Sequence, residues 1–245
     1  MKTNPFERNL LDIQQRIARA AAAAGRAVAD VKLIAAAKTR SADEVATLNA
    51  LGVDQVGENY VDEGVAKVIN LQHLHCTWHF IGRIQSNKTQ LIARHFDWVH
   101  TIDRMKIAQR LSRQRLDALQ DQAPTDPQDQ TRSQTPLQVL LQVNVDADPN
   151  KGGCIPEVVP QLAAEVNALP GLQLRGLMTI LHPDTDPATG YRNVAQLASD
   201  LHGVFDAGHK PVLSMGMSGD LEAAIAAGAT HIRIGTALMG ARSTP

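Results

Sequence analysis

Short aliphatic runs recur along the chain at regular intervals, each bounded by turn residues, and between them lie longer stretches with apolar residues every three to four positions. The first pattern is that of buried strands and the second that of amphipathic helices. The strand runs are VKLIAAA (31–37), VDQVG (53–57), WHFIG (78–82), DWVHT (97–101), LQVLLQVNV (137–145), LQLRGLMTI (172–180), PVLSM (211–215) and HIRIG (231–235). Helical stretches such as SADEVATLNALG, PEVVPQLAAEVNALPG and GDLEAAIAAGA separate them. Another, from Phe6 to about Gly25, precedes the first strand, with Leu10, Ile13, Ile17 and Ala20 on one face.

Strands that alternate with helices pair in parallel, because a parallel neighbour is reached only by a long crossover. Eight such units in 245 residues predict one α/β domain over 1–245, a (β/α)8 TIM-type barrel with an additional N-terminal helix. A doubly wound open sheet is the rival, but no GxGxxG follows the first strand. One segment breaks the rhythm. Residues 120–136, QDQAPTDPQDQTRSQTP, are polar and proline-bearing and are expected to form a flexible surface loop without chemistry.

Composition narrows the function by exclusion. The hydrophobic fraction of 44% with 3% aromatic residues describes a core built from aliphatic side chains. A net charge of −1 supplies no field to draw the protein onto nucleic acid or a membrane surface. The opening residues are charged and helix-patterned with no apolar leader, and no apolar run approaches the ~20 residues that span a bilayer; a cytoplasmic location is expected. Two cysteines, Cys76 and Cys154, make neither a disulfide framework nor a zinc cluster. The HCTWHF stretch groups His73, His75, Cys76 and His79, but the first two precede the strand that holds His79, and no metal is expected.

In such a barrel the C-terminal ends of the strands form the functional rim. Lys38 follows the first run; Glu58, Asn59 and Tyr60 follow the second; Arg83, Gln85, Asn87 and Lys88 follow the third. The seventh leads into SMGMSGD and the eighth into GTALMG. Serine and glycine turns feeding helices at these two positions are suited to a phosphate group, through backbone N–H groups and close approach. The bland alternative is that Ser218 only caps a helix, with Asp220 on its favourable end. A lysine ending an apolar strand beside a phosphate cradle is a candidate Schiff-base amine. Pyridoxal 5′-phosphate (PLP) carries both an aldehyde and a phosphate, and a phosphorylated sugar handled by an aldolase uses the same two features.

The stretches LIAAAKTR, GENYVDE, WHFIGRIQSNK, RGLMTI and LSMGMSGDLEAAIAAGATHIRIGTALMGAR together resemble the YggS/PROSC family of PLP homeostasis proteins. That family itself resembles the N-terminal barrel of alanine racemase. The resemblance implies PLP held as a Schiff base on Lys38, with Ser214, Gly216, Ser218, Gly235 and Thr236 in the phosphate loops. It implies Arg233 near the pyridine nitrogen, and Asn59 and His79 lining the pocket. A guanidinium only donates hydrogen bonds, so a pyridine nitrogen facing it stays unprotonated and is a weak electron sink. Racemisation also needs a second acid–base group. The resemblance implies a tyrosine from a separate C-terminal domain in the racemases, and this chain stops ten residues past Gly235. Tyr60 is the nearest substitute by motif. The expected function is therefore a PLP carrier that maintains intracellular PLP and amino-acid homeostasis, with no catalytic residue. The alternative is a racemase of low activity. PLP-dependent apo-enzymes are the expected recipients, and a monomer or weak dimer the expected assembly.

Overall fold

The computed structural model describes residues 5–120, 135–201, 203–205 and 210–240. Eight parallel strands close into a barrel in chain order. They are β1 (Lys32–Ala36), β2 (Gln55–Glu58), β3 (Thr77–Phe80), β4 (Trp98–Ile102), β5 (Leu137–Val143), β6 (Leu172–Thr179), β7 (Val212–Ser214) and β8 (His231–Ile234). The ring closes where β1 pairs with β8 in a register that opposes Lys32 to His231 and Ala35 to Ile234. All eight sequence-read runs become strands, so the expected (β/α)8 architecture with its additional N-terminal helix is the one observed.

The helices are α1 (Pro5–Ala23), α2 (Ala42–Ala50), α3 (Val61–Asn70), α4 (Thr89–His95), α5 (Met105–Gln120), α6 (Val159–Asn167), α7 (Pro187–Asp200), α8 (Leu221–Ala226) and α9 (Thr236–Met239). Local signals explain several starts. Ser41 and Glu44 form a reciprocal capping box on α2, worth about 1 kcal/mol. Asp186 caps α7 ahead of Pro187, whose fixed φ suits a first helical turn. The fifth run stops at Val143 rather than 145 because the Asn144 side chain turns the chain, donating to Asp148 O and accepting from Asp148 N. Segment 121–134, most of the expected polar loop, lies outside the described residues.

Two apolar regions result. The larger lies between barrel and helices and includes Ile17, Trp78, Phe80, Phe96, Leu111 and Ile225. The smaller fills part of the barrel interior, where Leu140, Met178 and Val212 pack with Trp98. Arg115 is fully buried on α5 and donates to the carbonyls of Ala93, Phe96 and Thr135. Those bonds replace its lost hydration and tie α4 to the approach to β5.

Helix α1 has a positional role. Asn9 donates to Leu238 O on α9, while Arg16 pairs with Glu222 on α8 and donates to Ser218 O. The opening helix thereby fastens both elements that follow the last two strands.

Candidate functional site at the strand-end rim

Lys38 lies one residue beyond Ala37 at the C-terminal end of β1, exposed, and its amine has no hydrogen-bond or ion-pair partner among the described residues. The backbone beside it is unusual: Thr39 has φ +63°, a left-handed conformation uncommon for a β-branched residue. Arg40 then donates to Glu44 and to the carbonyl of Gly240, tying this exit loop to the one after β8. Gly235 stands close by, since a Cβ there would lie 3.5 Å from Ala36 O.

The two loops expected to hold phosphate are adjacent. Arg233 N–H donates to Gly216 O at 3.0 Å, joining them at their bases. Gly216 has φ +92°, and a Cβ on it would come within 2.5 Å of Ala224 Cβ, so only glycine fits between β7 and α8. Ser218 does not cap α8; that position belongs to Asp220. The Asp220 carboxylate accepts from Met217 N–H and from the Tyr191 hydroxyl at 2.7 Å. Burial and that bond raise the Tyr191 phenol above its ordinary range. Arg16 holds the Ser218 carbonyl at 2.9 Å, so the trans peptide turns the Gly219 N–H away from α1. The N–H groups of Ser218, Gly219, Gly235 and Thr236 have no acceptor among the described residues. Unpaired backbone donors on adjacent glycine-bearing loops suit an anion.

Arg233, nearly buried on β8, donates to Ser214 Oγ at 2.8 Å and Thr179 O at 2.9 Å. Both acceptors are neutral, and burial lowers its pKa to about 10. Ser214 begins a polar chain that descends through the barrel. Its hydroxyl meets His100 Nδ1 at 2.8 Å, His100 Nε2 meets His79 Nδ1 at 2.9 Å, and His79 Nε2 meets Gln55 Oε1 at 3.0 Å. The two ends fix its polarity. Arg233 only donates, and Gln55 Nε2 donates to Asp54 Oδ1, which leaves the Gln55 carbonyl facing His79. His79 therefore carries its proton on Nε2, His100 on Nε2, and Ser214 donates to His100. Each ring must be neutral for this, and burial lowers the pKa of both well below the usual value.

The site residues read from sequence thus divide. Lys38 and Thr236 are exposed and Ser218 and Gly235 half-buried, whereas Ser214, Gly216 and Arg233 are buried. Asn59 borders two hollows on the same face, one of about 330 Å3 with Tyr60, Arg83 and Lys88, and one of about 180 Å3 reaching Thr101 and Gln142. His79 is fully buried with both ring nitrogens engaged, so it addresses the rim through His100 and Ser214. A larger cavity of about 350 Å3 lies at the opposite face under α1, beside Lys32 and Gln55. It is remote from the lysine and the glycine loops and has no part in this site. Among the described residues no group of three His, Cys, Asp or Glu side chains could hold a metal. Nor is any described helix long and apolar enough to cross a membrane.

Sequence reading missed the cluster beneath Lys38. Lys67 on α3 is 5% exposed and donates to Glu58 Oε1, Glu63 Oε1 and Ala37 O at 2.6 to 2.8 Å. Burial raises Glu58 to about 7 against the opposing pull of Lys67. Its Oε2 is buried without a partner. The signal was present in GENYVDEGVAK, where Lys67 falls at helical spacing with Val61 and Gly64, on the face that α3 buries.

Fold and rim define a class of barrel, and comparison with known proteins agrees. A family model described as alanine racemase, N-terminal domain, matches residues 4–243. The chain is 48% identical over 237 residues to the pyridoxal phosphate homeostasis protein of Pseudomonas aeruginosa, covering 96% of this chain and 94% of that one. It is 42% identical over 243 residues to the protein of the same description from Escherichia coli K12, covering 98% and 97%. The structure of PipY from Synechococcus elongatus PCC7942 with PLP bound matches with a TM-score of 0.75 at 30% identity, covering 93% of this chain and 100% of that one. Alanine racemase from Corynebacterium glutamicum shares the fold with a TM-score of 0.62 at 15% identity; the match covers 98% of this chain but 61% of the racemase. The chain belongs to the family of pyridoxal phosphate homeostasis proteins.

Proposed function

We propose that the protein binds PLP as a Schiff base on Lys38 and holds it for PLP homeostasis without a dedicated reaction. The observation that carries this reading is an unpartnered lysine amine at the end of β1, next to strand β8, with unpaired backbone donors in the loops after β7 and β8. An aldehyde and a phosphate on one small molecule match those two features, and a relative of this fold has been solved with PLP bound. PLP supplies the aldehyde and a conjugated ring; the chain supplies the grip. Lys38 provides the amine, and Ser218, Gly219, Gly235 and Thr236 offer N–H groups to the phosphate. Arg233 presents a donor to the pyridine nitrogen, Ser214 and Thr179 orient that guanidinium, and His79 with His100 fixes Ser214 from below. Asn59 borders the mouth.

The non-catalytic part of the reading rests on two features. A donor-only guanidinium such as Arg233, placed beside the ring nitrogen of bound PLP, would keep that nitrogen unprotonated. Tyr60, the candidate second acid–base group, is 57% exposed, at the surface rather than in an enclosed, water-excluding site. We take the recipients to be PLP-dependent apo-enzymes and the setting to be the cytoplasm, on the sequence grounds given above.

The test is the absorption spectrum of purified protein with PLP before and after borohydride, with mass mapping of the labelled peptide. A visible band that borohydride bleaches, with the label on Lys38, is expected. No band and no label would return Lys38 to a solvated strand end and favour a phosphorylated-sugar ligand.

A further inference from the structure

We propose that Glu63 and Lys67 are positioning residues for Lys38, gripping the peptide on both sides of the reactive lysine through one charge cluster. The proposal rests on Lys38 being the Schiff-base residue. Lys67 Nζ donates to the carbonyl of Ala37, the residue before Lys38, at 2.8 Å. Glu63 Oε1 accepts from the N–H of Thr39, the residue after it, at 2.6 Å. The same Glu63 oxygen receives Lys67 at 2.6 Å, and Glu58 Oε1 receives it at 2.8 Å. One ammonium and one carboxylate thus define where β1 ends and how the chain leaves it.

The grip answers a local need. Thr39 holds φ +63°, a conformation that a β-branched residue adopts only under strain. A charge-assisted N–H···carboxylate bond is among the stronger hydrogen bonds available to offset that. Glu63 precedes Lys67 by four residues on α3, the favoured order for a helical pair. Glu58 closes the cluster from the end of β2, fully buried. The arrangement also separates two nearby lysines by role. All three N–H groups of Lys67 are committed, so it is no nucleophile, whereas the Lys38 amine has no partner among the described residues. A strand end held from both sides presents that amine in a narrow range of directions, which is how orientation accelerates attack on a carbonyl.

The decisive comparison is Glu63→Ala against Glu63→Gln. Glutamine keeps an amide oxygen for the Thr39 N–H; alanine does not. Rate and equilibrium of Schiff-base formation with PLP are followed by the visible band, and Lys38 reactivity in the PLP-free protein by acetic anhydride labelling with peptide mapping. Glu63→Ala is expected to form the band about tenfold more slowly and to show altered Lys38 labelling, while melting within a few degrees of the parent. Glu63→Gln is expected to recover most of the rate. Equal rates and equal labelling in all three proteins overturn the proposal. Amide hydrogen exchange on the unaltered protein decides independently of whether any variant folds: a protected Thr39 N–H supports the grip, and one exchanging as an open loop sinks it. Absence of the borohydride label from Lys38 in the parent would defeat the underlying reading; a label on Lys38 with unchanged variants would defeat only this one.

Discussion

Arg233 and Ser214, side by side on neighbouring strands, meet through a guanidinium-to-hydroxyl bond of 2.8 Å that no carboxylate shares. A buried arginine oriented by a neutral acceptor keeps its full donor strength for a third party. Ser214 in turn depends on His100 below it. Replacing Ser214 by alanine removes an acceptor from Arg233 and a donor from His100 at once. A cost of about 1–3 kcal/mol in urea unfolding is expected, together with weaker retention of PLP in dialysis. Full stability with unchanged retention would show that the chain of bonds does not support the site.

Arg233→Gln separates orientation from charge. It should shift the visible band and weaken PLP binding while leaving the barrel folded, as read by circular dichroism. An unchanged spectrum and affinity would remove Arg233 from the ligand.

Gly216→Ala places a methyl group 2.5 Å from Ala224 Cβ at φ +92°. Strain and overlap together predict a loss of about 1–3 kcal/mol. PLP retention should fall further than stability, because the displaced element is the loop itself. A melting curve matching the parent would mean that the loop has another shape in solution.

Arg16→Ala tests α1 as a fastener. Its ion pair with Glu222 is surface-lying and worth under about 1 kcal/mol, so melting should move little. The bond to Ser218 O is the one that reaches the loop after β7, and its loss should change the concentration of inorganic phosphate needed to compete with PLP. Identical competition curves would confine Arg16 to the surface.

Stability should fall on acidification, with the sign set by two opposed groups of residues. Burial depresses His79 and His100 well below 6.5 and His231 to about 3, so the unfolded chain binds protons there that the folded one refuses. Each contributes stability that is present above 6.5 and lost as pH falls. Glu58 has the reverse sign: raised from 4.5 to about 7, it favours the folded state at low pH, and that contribution fades as pH rises through 7. Three histidines outweigh one carboxyl, each counting for up to about 1.4 kcal/mol per pH unit. Urea midpoints should therefore drop between pH 6.5 and 5, more steeply in Glu58→Gln. A flat profile over that interval would contradict neutral buried imidazoles.

Much of this was legible beforehand because the barrel writes itself as aliphatic runs at regular spacing, and the rim then follows from reading what comes after each run. That Lys38, Gly216 and Gly235 follow the ends of β1, β7 and β8 could be read that way. The chain from Ser214 to Gln55 could not, because His79 and His100 belong to different strands and their meeting depends on register. The bland alternative for Ser218, a helix cap, does not hold: Asp220 occupies that position, and its carboxylate serves Met217 and Tyr191. The grip on Lys38 escaped because a lysine within a helix ordinarily reads as surface.

The first and last strands of the ring meet at the β1–β8 pair, and the candidate site sits on that seam. Lys38 comes from one side of it and the glycine loops from the other. A molecule gripped by both acts as a staple across the joint, so its binding energy falls on the step that closes the circle.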